Sequence, residues 1–298
     1  MRRAFRYRLL NVFAIPGDPF SGNPLVVFED ATGMTDLEMQ RTARQFNLTE
    51  TSFLLPTAQP TAMARVRIFK PDFEMPYAGH PVLGAAHVVR ALIATGDAMR
   101  LETKTGVVEL AALGAAWRVR VPHSPRVRAP KGTRGELAGA LGLRERDLGD
   151  KVLFIDTAVD QLIVPVTTVE ALYEVAPEPG AFARIARSAT REESVAYLWS
   201  VGEDGAFHAR CLYITNAGIL EDPATGSACG NLGGWMIANG DTEAGRWVVH
   251  QGQATGRPSR LELELDGEGG IFVHGYVSEL GAGVIDLPAH RPSTPRPI

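Results

Sequence analysis

A loop of eight residues occurs twice in this chain, once in each half. The first copy, at 74–81, is Glu-Met-Pro-Tyr-Ala-Gly-His-Pro, and the second, at 221–228, is Glu-Asp-Pro-Ala-Thr-Gly-Ser-Ala. Both fit the pattern Glu-x-Pro-x-x-Gly-(His or Ser), and their offset, 221 − 74 = 147, is close to half of the 298 residues. An apolar stretch follows each copy and predicts a buried helix that ends at a glycine, Gly96 or Gly240.

Two shorter matches precede the loops in the same order. Arg-Thr-Ala-Arg at 41–44 resembles Arg-Ile-Ala-Arg at 184–187, and Glu50 falls opposite Glu193, with an offset of 193 − 50 = 143. Matches that keep their order along the chain indicate an internal duplication. We therefore expect two similar halves that face each other and bring two helix N-termini to one cleft.

The start of each of these helices is suited to bind an anion. The first N–H groups of a helix have no partner within the helix, and the helix macrodipole is positive there. A substrate carboxylate fits such a site, and Asp222 would add an acid–base group to its rim. Taken alone, such residues are more often simple helix caps, so the second copy of the loop is what favours a functional cleft.

Glu50 and His80 are the titratable residues that we expect beside this cleft. Glu50 stands at the entrance of a predicted strand, between Thr49 and Thr51. It is either a solvated loop carboxylate or a partly buried carboxyl whose raised pKa lets it take and return a proton. His80 opens the first of the two helices and is either a cap or turn residue or a proton donor to a substrate.

Composition places the chain among ordinary globular proteins, with 45% hydrophobic and 21% charged residues. The formal net charge of −4 gives no reason to expect nucleic acid or an anionic membrane as a partner. No apolar run approaches the roughly 20 residues of a membrane span, and the faintly signal-like N-terminus has no small-residue cleavage site. We therefore expect a cytoplasmic protein. The two cysteines, Cys211 and Cys229, predict neither a disulfide framework nor a metal cluster.

The length of the chain, 298 residues, suggests about two domains. The segment 122–131 is rich in proline and basic residues and is the predicted linker. We place an N-terminal domain at 1–123 and a C-terminal domain at 124–282. A C-terminal strand near 283–298 is free to rejoin the N-terminal domain.

Local patterns predict several particular elements. Thr35 and Thr167 are each followed three residues later by glutamate, which is the spacing of a capping box at a helix start. Separate closing strands are expected at 271–277 and 283–287. The proline-rich end, 288–298, is expected to be disordered.

Five motifs, in order along the chain, resemble those of the phenazine-biosynthesis, PhzF-like isomerase family. They are Phe-Ser-Gly-Asn-Pro-Leu at 20–25, Asn-Leu-Thr-Glu-Thr at 47–51, Pro-Tyr-Ala-Gly-His-Pro at 76–81, Glu-Asp-Pro-Ala-Thr-Gly-Ser at 221–227, and Gln-Gly with Gly-Arg-Pro at 251–258. The resemblance implies the diaminopimelate-epimerase fold. This is an α+β protein of two pseudo-symmetric halves, each a barrel-like sheet around a central helix, with the site between them.

The resemblance also implies a chemistry. The family's founding enzyme isomerises a 2-amino-3-hydroxycyclohexadiene carboxylate without a cofactor, and its acid–base glutamate corresponds to Glu50. His80 and Asp222 would relay or stabilise the shifted charge. Residues expected at the substrate are Gly79, Gly226, Ser227 and Asn23. We therefore expect an isomerase that shifts a proton on a small carboxylate-bearing metabolite, with no cofactor and no metal, and that forms a homodimer as many relatives do.

The sequence leaves other outcomes open. A racemase or epimerase, or a dehydratase, could use the same site, and so could a non-catalytic protein that binds small carboxylates. A racemase with two facing cysteines is excluded because the first half has no cysteine. A variant that uses the single thiol of Cys229 remains open, and the sequence names neither the substrate nor the product.

Overall fold

The order of strands and helices in the first half recurs in the second half, where one more strand and two more α-helices are described. A computed structural model describes residues 2–93, 96–215 and 217–289. The elements of the first half are β1 (Arg2–Val12), β2 (Asn23–Phe28), α1 (Asp36–Phe46), β3 (Glu50–Leu55), β4 (Ala64–Phe69), β5 (Glu74–Met75), α2 (Gly79–Ile93), β6 (Ala98–Thr103), β7 (Gly106–Leu113) and β8 (Ala116–Arg120). Those of the second half are β9 (Arg126–Arg128), α3 (Arg134–Ala140), β10 (Leu153–Asp156), β11 (Asp160–Pro165), α4 (Val169–Glu174), α5 (Pro179–Ile185), β12 (Val195–Val201), β13 (Phe207–Thr215), β14 (Gly218–Asp222), α6 (Gly226–Ala238), β15 (Gly245–Gln251), β16 (Ser259–Leu265) and β17 (Ile271–Pro288).

The strand pairings repeat as well. In the first half, β1–β2, β3–β4, β6–β7 and β7–β8 pair antiparallel, whereas β2–β3 and β4–β6 pair parallel. In the second half, β10–β11, β12–β13, β15–β16 and β16–β17 pair antiparallel, whereas β11–β12 and β13–β15 pair parallel. The repeated pairings confirm the predicted α+β architecture of two pseudo-symmetric halves.

Each half encloses one apolar helix. Helix α2 is buried along most of its length, and a Cβ at its Gly84 would lie only 2.3 Å from Leu25 Cδ2 of β2. Helix α6 is also largely buried and packs against β10, β11, β16 and β17. These are the two apolar stretches that follow the repeated loop. An apolar surface on all sides of a helix therefore correctly predicted its central position.

Side chains cap several of the outer helices. Thr35 forms the predicted capping box at the start of α1. The box predicted at Thr167 is wrong, because the N-cap of α4 is Thr168, whose side chain accepts a hydrogen bond from Ala171 N. The Thr167 hydroxyl donates instead to the carbonyl of Asp147, so this contact with the preceding turn holds Thr167 outside the helix.

The last strand crosses from the second half to the first. Residues 271–276 of β17 pair with β16 and β8, and residues 277–288 pair antiparallel with β1, which closes the strands of the first half into a ring. The separate strands expected at 271–277 and 283–287 are therefore wrong. The pairing of β17 with β1 continues through a register shift beside Leu9, so no turn separates residues 271–277 from residues 283–287.

The predicted linker takes part in the sheet in a similar way. Within 122–131, β9 pairs antiparallel with β10, and His123 N donates to the carbonyl of Thr157 at 3.1 Å. The predicted linker is thus part of the sheet of the second half, and the end of β17 joins the sheet of the first half. The bounds 1–123 and 124–282 stay a prediction. Most of the tail that we expect to be disordered, 290–298, lies outside the described residues.

Candidate active site

The two central helices meet at their N-termini. A Cβ at Gly79 would lie 3.1 Å from the backbone of Gly226, and a Cβ at Gly226 would lie 3.4 Å from Gly79 Cα. Neither helix has an acidic residue in its first turn, and Thr225, the N-cap of α6, caps no N–H group with its side chain. The two helix starts therefore lie together with N–H groups free for an anion, as the repeated loop predicted.

A chamber of about 50 Å³ lies beside these helix starts. Both halves line it, with Glu50 at the start of β3 and Asp222 at the end of β14. Gly226 also lines it, and Gly79 packs against Gly226. Other polar side chains in its wall include Lys70, His80, Gln161, Glu193 and Ser227. Three elements that are distant in sequence, β3, α2 and β14, thus bring the three predicted catalytic side chains to one place.

Glu50 and His80 face each other in this chamber, with 3.5 Å between Glu50 Oε2 and His80 Nε2. Burial raises the pKa of Glu50 to about 8, and the nearby Lys70 cation limits the rise. Burial and the Lys70 charge together lower the pKa of His80 to about 3. The contact is therefore not an ion pair at neutral pH, because the proton stays on Glu50 and the imidazole is neutral. Neither facing atom has a hydrogen-bond partner among the described residues.

Asp222 is the second buried carboxyl of the chamber. Asn23 Nδ2 donates to its Oδ1 at 2.7 Å, and the Thr225 hydroxyl donates to its Oδ2 at 2.5 Å. Burial raises the pKa of Asp222 to about 6, and the two hydrogen bonds oppose a larger rise. Asn23 is not among the described residues that line the chamber, and it donates a second hydrogen bond to the carbonyl of Ala224. Its expected contact with a substrate stays a prediction.

Sequence analysis missed two cations beside these acids, Lys70 and Arg191. Lys70 Nζ lies 2.9 Å from Glu193 Oε1 and 5.4 Å from the centre of the Tyr213 ring. Burial would lower the pKa of Lys70, but the carboxylates of Glu50 and Glu193 raise it above its ordinary value, so the ammonium stays charged. Arg191 pairs with the other oxygen of Glu193 at 2.5 Å. Lys70 follows a strand of alternating basic and apolar residues, and nothing in that pattern separates it from Arg65 and Arg67 of the strand.

The burial of both cysteines counts against either thiol as a nucleophile. Cys211 lines the chamber, whereas Cys229 is fully buried inside α6 and is not among the described residues that line it. Burial raises the pKa of both thiols, which keeps them in the unreactive neutral form. This geometry counts against a reaction through the single thiol of Cys229.

The described residues, 2–93, 96–215 and 217–289, also bear on possible partners. They contain no group of three or more histidine, cysteine, aspartate or glutamate residues arranged to hold a metal ion. None of their helices combines the length and the apolar character that crossing a bilayer requires.

The chamber combines the parts that proton transfer beside a carboxylate requires. Free amides at two helix starts attract an anion. A buried carboxyl with a pKa near neutrality can both give and take a proton, because neither of its forms is strongly favoured there. A neutral imidazole and a hydrogen-bonded carboxyl lie within the same space.

A family model described as phenazine biosynthesis-like protein matches residues 10–275. An uncharacterised isomerase of Pasteurella multocida is 36% identical over 289 residues, which cover 97% of this chain and 96% of the relative. A trans-2,3-dihydro-3-hydroxyanthranilate isomerase of Pseudomonas aeruginosa is 30% identical and is matched over 89% of this chain and 91% of its own length.

Solved structures of related proteins also resemble this chain. The chain resembles a PhzF-family phenazine biosynthesis protein of Bacillus anthracis with a TM-score of 0.81 at 24% identity, over 95% of this chain and 99% of the other. It resembles a predicted epimerase of Pseudomonas aeruginosa with a TM-score of 0.78 at 30% identity, over 94% and 99%. A hydroxyproline epimerase of Agrobacterium vitis shares the fold at 15% identity, with a TM-score of 0.64 over 96% and 94%. The chain therefore belongs to the phenazine biosynthesis-like family and is one of its isomerases.

Proposed function

We propose that the chain is a cofactor-independent isomerase in which Glu50 moves a proton on a small carboxylate-bearing metabolite with amino or hydroxyl substituents. The observation that carries this proposal is the state of Glu50. Its carboxyl is buried, its pKa is raised to about 8, and it faces a chamber beside two helix starts, of which that of α6 has no side-chain cap. A carboxyl in this state can serve as base and as acid in one reaction cycle.

The proposed reaction balances without an external oxidant or reductant. The substrate carboxylate binds at the helix starts. Ionised Glu50 removes a proton from the carbon that is adjacent to this carboxylate. The double bond shifts, and protonated Glu50 returns the proton to another carbon. Neutral His80 and the Asp222 carboxyl stabilise the charge as it moves. Because the carboxylate is the base in this step, the rate should rise with pH up to about the pKa of Glu50, which is about 8.

The space around Glu50 supports a substrate whose reacting end is small. The chamber of about 50 Å³ adjoins a cavity of about 900 Å³, and the two share Lys70, Glu193 and Tyr213 in their walls. The proposal puts the reacting end in the chamber and the remainder of the molecule in the larger cavity. The relative from Pseudomonas aeruginosa is named for trans-2,3-dihydro-3-hydroxyanthranilate, which has the carboxylate, amine and hydroxyl of this class. It is the first substrate to test.

The test is deuterium uptake from D₂O into trans-2,3-dihydro-3-hydroxyanthranilate or its product, followed by NMR and mass spectrometry. Glu50→Gln keeps the size of the side chain but removes its proton transfer, so uptake should fall by about 10²–10⁴-fold. Glu109→Gln, an exposed carboxylate of β7, is the control and should leave uptake unchanged. Undiminished uptake in Glu50→Gln would refute the role of Glu50. Binding without any exchange in the unchanged chain would support a carboxylate-binding protein instead.

A further inference from the structure

A chain of buried hydrogen bonds leads from a backbone amide of the second half to the chamber. Thr157 N donates to Asn231 Oδ1 at 3.0 Å. Asn231 Nδ2 donates to the carbonyl of Val159 and to Gln161 Oε1, both at 2.8 Å. Gln161 Nε2 then points to Ser227 Oγ at 3.4 Å. Asn231 is fully buried, and Gln161 is only 3% exposed.

The two ends of this chain fix which way each amide faces. A backbone N–H can only donate and a backbone carbonyl can only accept. The oxygen of Asn231 must therefore face Thr157, and its nitrogen must face Val159. That nitrogen also reaches Gln161 Oε1, so the oxygen of Gln161 is occupied as an acceptor. The NH₂ group of Gln161 is thereby directed towards Ser227 and the chamber.

This orientation leaves hydrogen-bond donors available at the chamber wall. The Gln161 amide has two N–H groups, and its described contact in the chamber is the long one to Ser227. Because Ser227 Oγ accepts there, its own hydroxyl proton is free to donate. Both groups lie beside the start of α6, which adds unpaired backbone N–H groups. The buried carboxyls Glu50 and Asp222 belong to other parts of the same wall.

The equivalent positions of the first half contain no such donors. The offset of the repeated loop, 147, relates Asn231 to Gly84, and the parallel strand pairs relate Gln161 to Leu25. These two residues also touch each other, since a Cβ at Gly84 would lie 2.3 Å from Leu25 Cδ2. A close apolar contact in the first half thus stands where the second half has a polar pair.

We propose that Gln161, held in orientation by Asn231, donates a hydrogen bond to the substrate carboxylate beside the start of α6. The proposal rests on the proposed function, since it names the subsite for the anionic group of that substrate. It makes Gln161 a substrate-binding residue and Asn231 a positioning residue. It also gives the bound substrate one orientation, with its carboxylate on the side of the second half.

The test compares two ligands that differ only in the carboxylate. 3-Hydroxyanthranilate and 2-aminophenol share the ring, the amine and the hydroxyl, and calorimetry gives the affinity of each. The unchanged chain should prefer 3-hydroxyanthranilate. Gln161→Leu should lower the affinity for 3-hydroxyanthranilate by about tenfold or more, as expected for a hydrogen bond to a charged group. The affinity for 2-aminophenol should be unchanged. Asn231→Ala should lower the affinity for 3-hydroxyanthranilate by a smaller factor.

Matched controls separate this effect from a loss of folding. Asn239→Ala changes an asparagine at the other end of α6, whose side chain bonds Trp235 O, and should alter neither affinity. Gln161→Met keeps the length of the side chain without its donor and replaces the leucine variant if that one fails to fold. Thermal unfolding of each variant checks the fold.

Two results would overturn the proposal. One is an equal loss of affinity for both ligands in Gln161→Leu, which would indicate that Gln161 packs against the ring and does not recognise the carboxylate. The other is a lack of carboxylate preference in the unchanged chain. Failure of the isomerase proposal is seen separately, since a Gln161-dependent carboxylate preference without deuterium uptake would retain this subsite and reject the reaction.

Discussion

The two halves of the molecule share a backbone plan, and some of their interactions repeat closely. Arg67 pairs with Glu74 through two hydrogen bonds of 2.7 and 2.8 Å. Arg210 pairs with Glu221, at the equivalent place between β13 and β14, through two of 3.1 and 2.8 Å. In each half this ion pair anchors the strand that leads into the repeated loop. The duplicated part of the molecule is thus the frame that presents a helix start.

The same two halves differ where they line the chamber. The strand registers and the repeated loop show which positions of the two halves are equivalent. A polar side chain in one half corresponds to an apolar one in the other, or to a different polar group, in four pairs: Glu50 and Val195, Met75 and Asp222, Asn23 and Val159, His80 and Ser227. Val195, and not Glu193, stands at the place equivalent to Glu50, because the chain before β12 is longer than the chain before β3. A symmetric frame therefore carries an asymmetric site, to which each half gives one buried acid.

The largest expected effect comes from making the second half resemble the first. Asp222→Met places the residue of the first half at the equivalent position and removes one of the two acids. We expect deuterium uptake to fall by about 10²–10⁴-fold, the usual contribution of a positioned acid or base. Met75→Leu, the matched change on the other side, should alter uptake less than about threefold, as for a volume-conserving swap. Similar losses in both variants would contradict the asymmetry of the site.

The repeated ion pairs should differ in their contribution to stability. Arg210 also donates to the carbonyls of Leu172 and Val175, whereas Glu74 has a second cation in Lys104 if Arg67 is lost. We expect Arg210→Met to lower the free energy of unfolding by about 2–3 kcal/mol, because it leaves buried acceptors unpaired.

Arg67→Met should cost about 1 kcal/mol less, since a charged partner remains. Urea denaturation of the two variants measures the difference. Equal losses would mean that the carbonyls of α4 add nothing to the pair in the second half.

The contact between the helix starts leaves no room for a methyl group. A Cβ at Gly79 would lie 3.1 Å from the backbone of Gly226, and that backbone cannot move without shifting α6. We expect Gly79→Ala to lower the free energy of unfolding by about 1–2 kcal/mol. Gly96→Ala is the control, because a Cβ there has no described atom within 4 Å, and it should change stability by less than about 0.5 kcal/mol. An unchanged Gly79→Ala would show that the halves are not in close contact there.

The last expected effect is a change in how stability depends on pH. The folded chain keeps a proton on Glu50 up to a pKa of about 8, whereas the unfolded chain releases it near the ordinary glutamate value. The folded state therefore binds more protons between these values, and the free energy of unfolding falls as pH rises from 5 to 8.

Glu50→Gln removes this titration, so the stability of the variant should fall less steeply over the same range. The raised pKa of Asp222 leaves a residual slope in the variant. Val195→Ala, at the equivalent place, should retain the full slope of the unchanged chain. Thermal unfolding at four pH values between 5 and 8 measures all three, and identical slopes would place Glu50 in contact with solvent.

Much of the fold could be predicted from local patterns. The repeated loop and the two apolar stretches after it gave the duplication and the central helices, because both signals lie within short segments. The capping box at Thr35 was found for the same reason. The continuous strand β17 was missed because its pairing partner, β1, lies at the other end of the chain. The N-cap of α4 was misplaced by one residue because a contact with a distant turn engages Thr167.

The sequence by itself determined that the chain contains two similar units, that each presents a helix start, and that Glu50, His80 and Asp222 are the candidate acid–base residues. The two units and their helix starts follow from the repeated loop and local periodicity, whereas the acid–base roles follow from the resemblance to the isomerase family. The tertiary structure alone decided that Lys70, Glu193 and Gln161 join them, and that burial moves the pKa of Glu50 upward and that of His80 downward. Desolvation and charge coupling depend on which atoms of both halves meet in space, and no spacing along one chain encodes that distance.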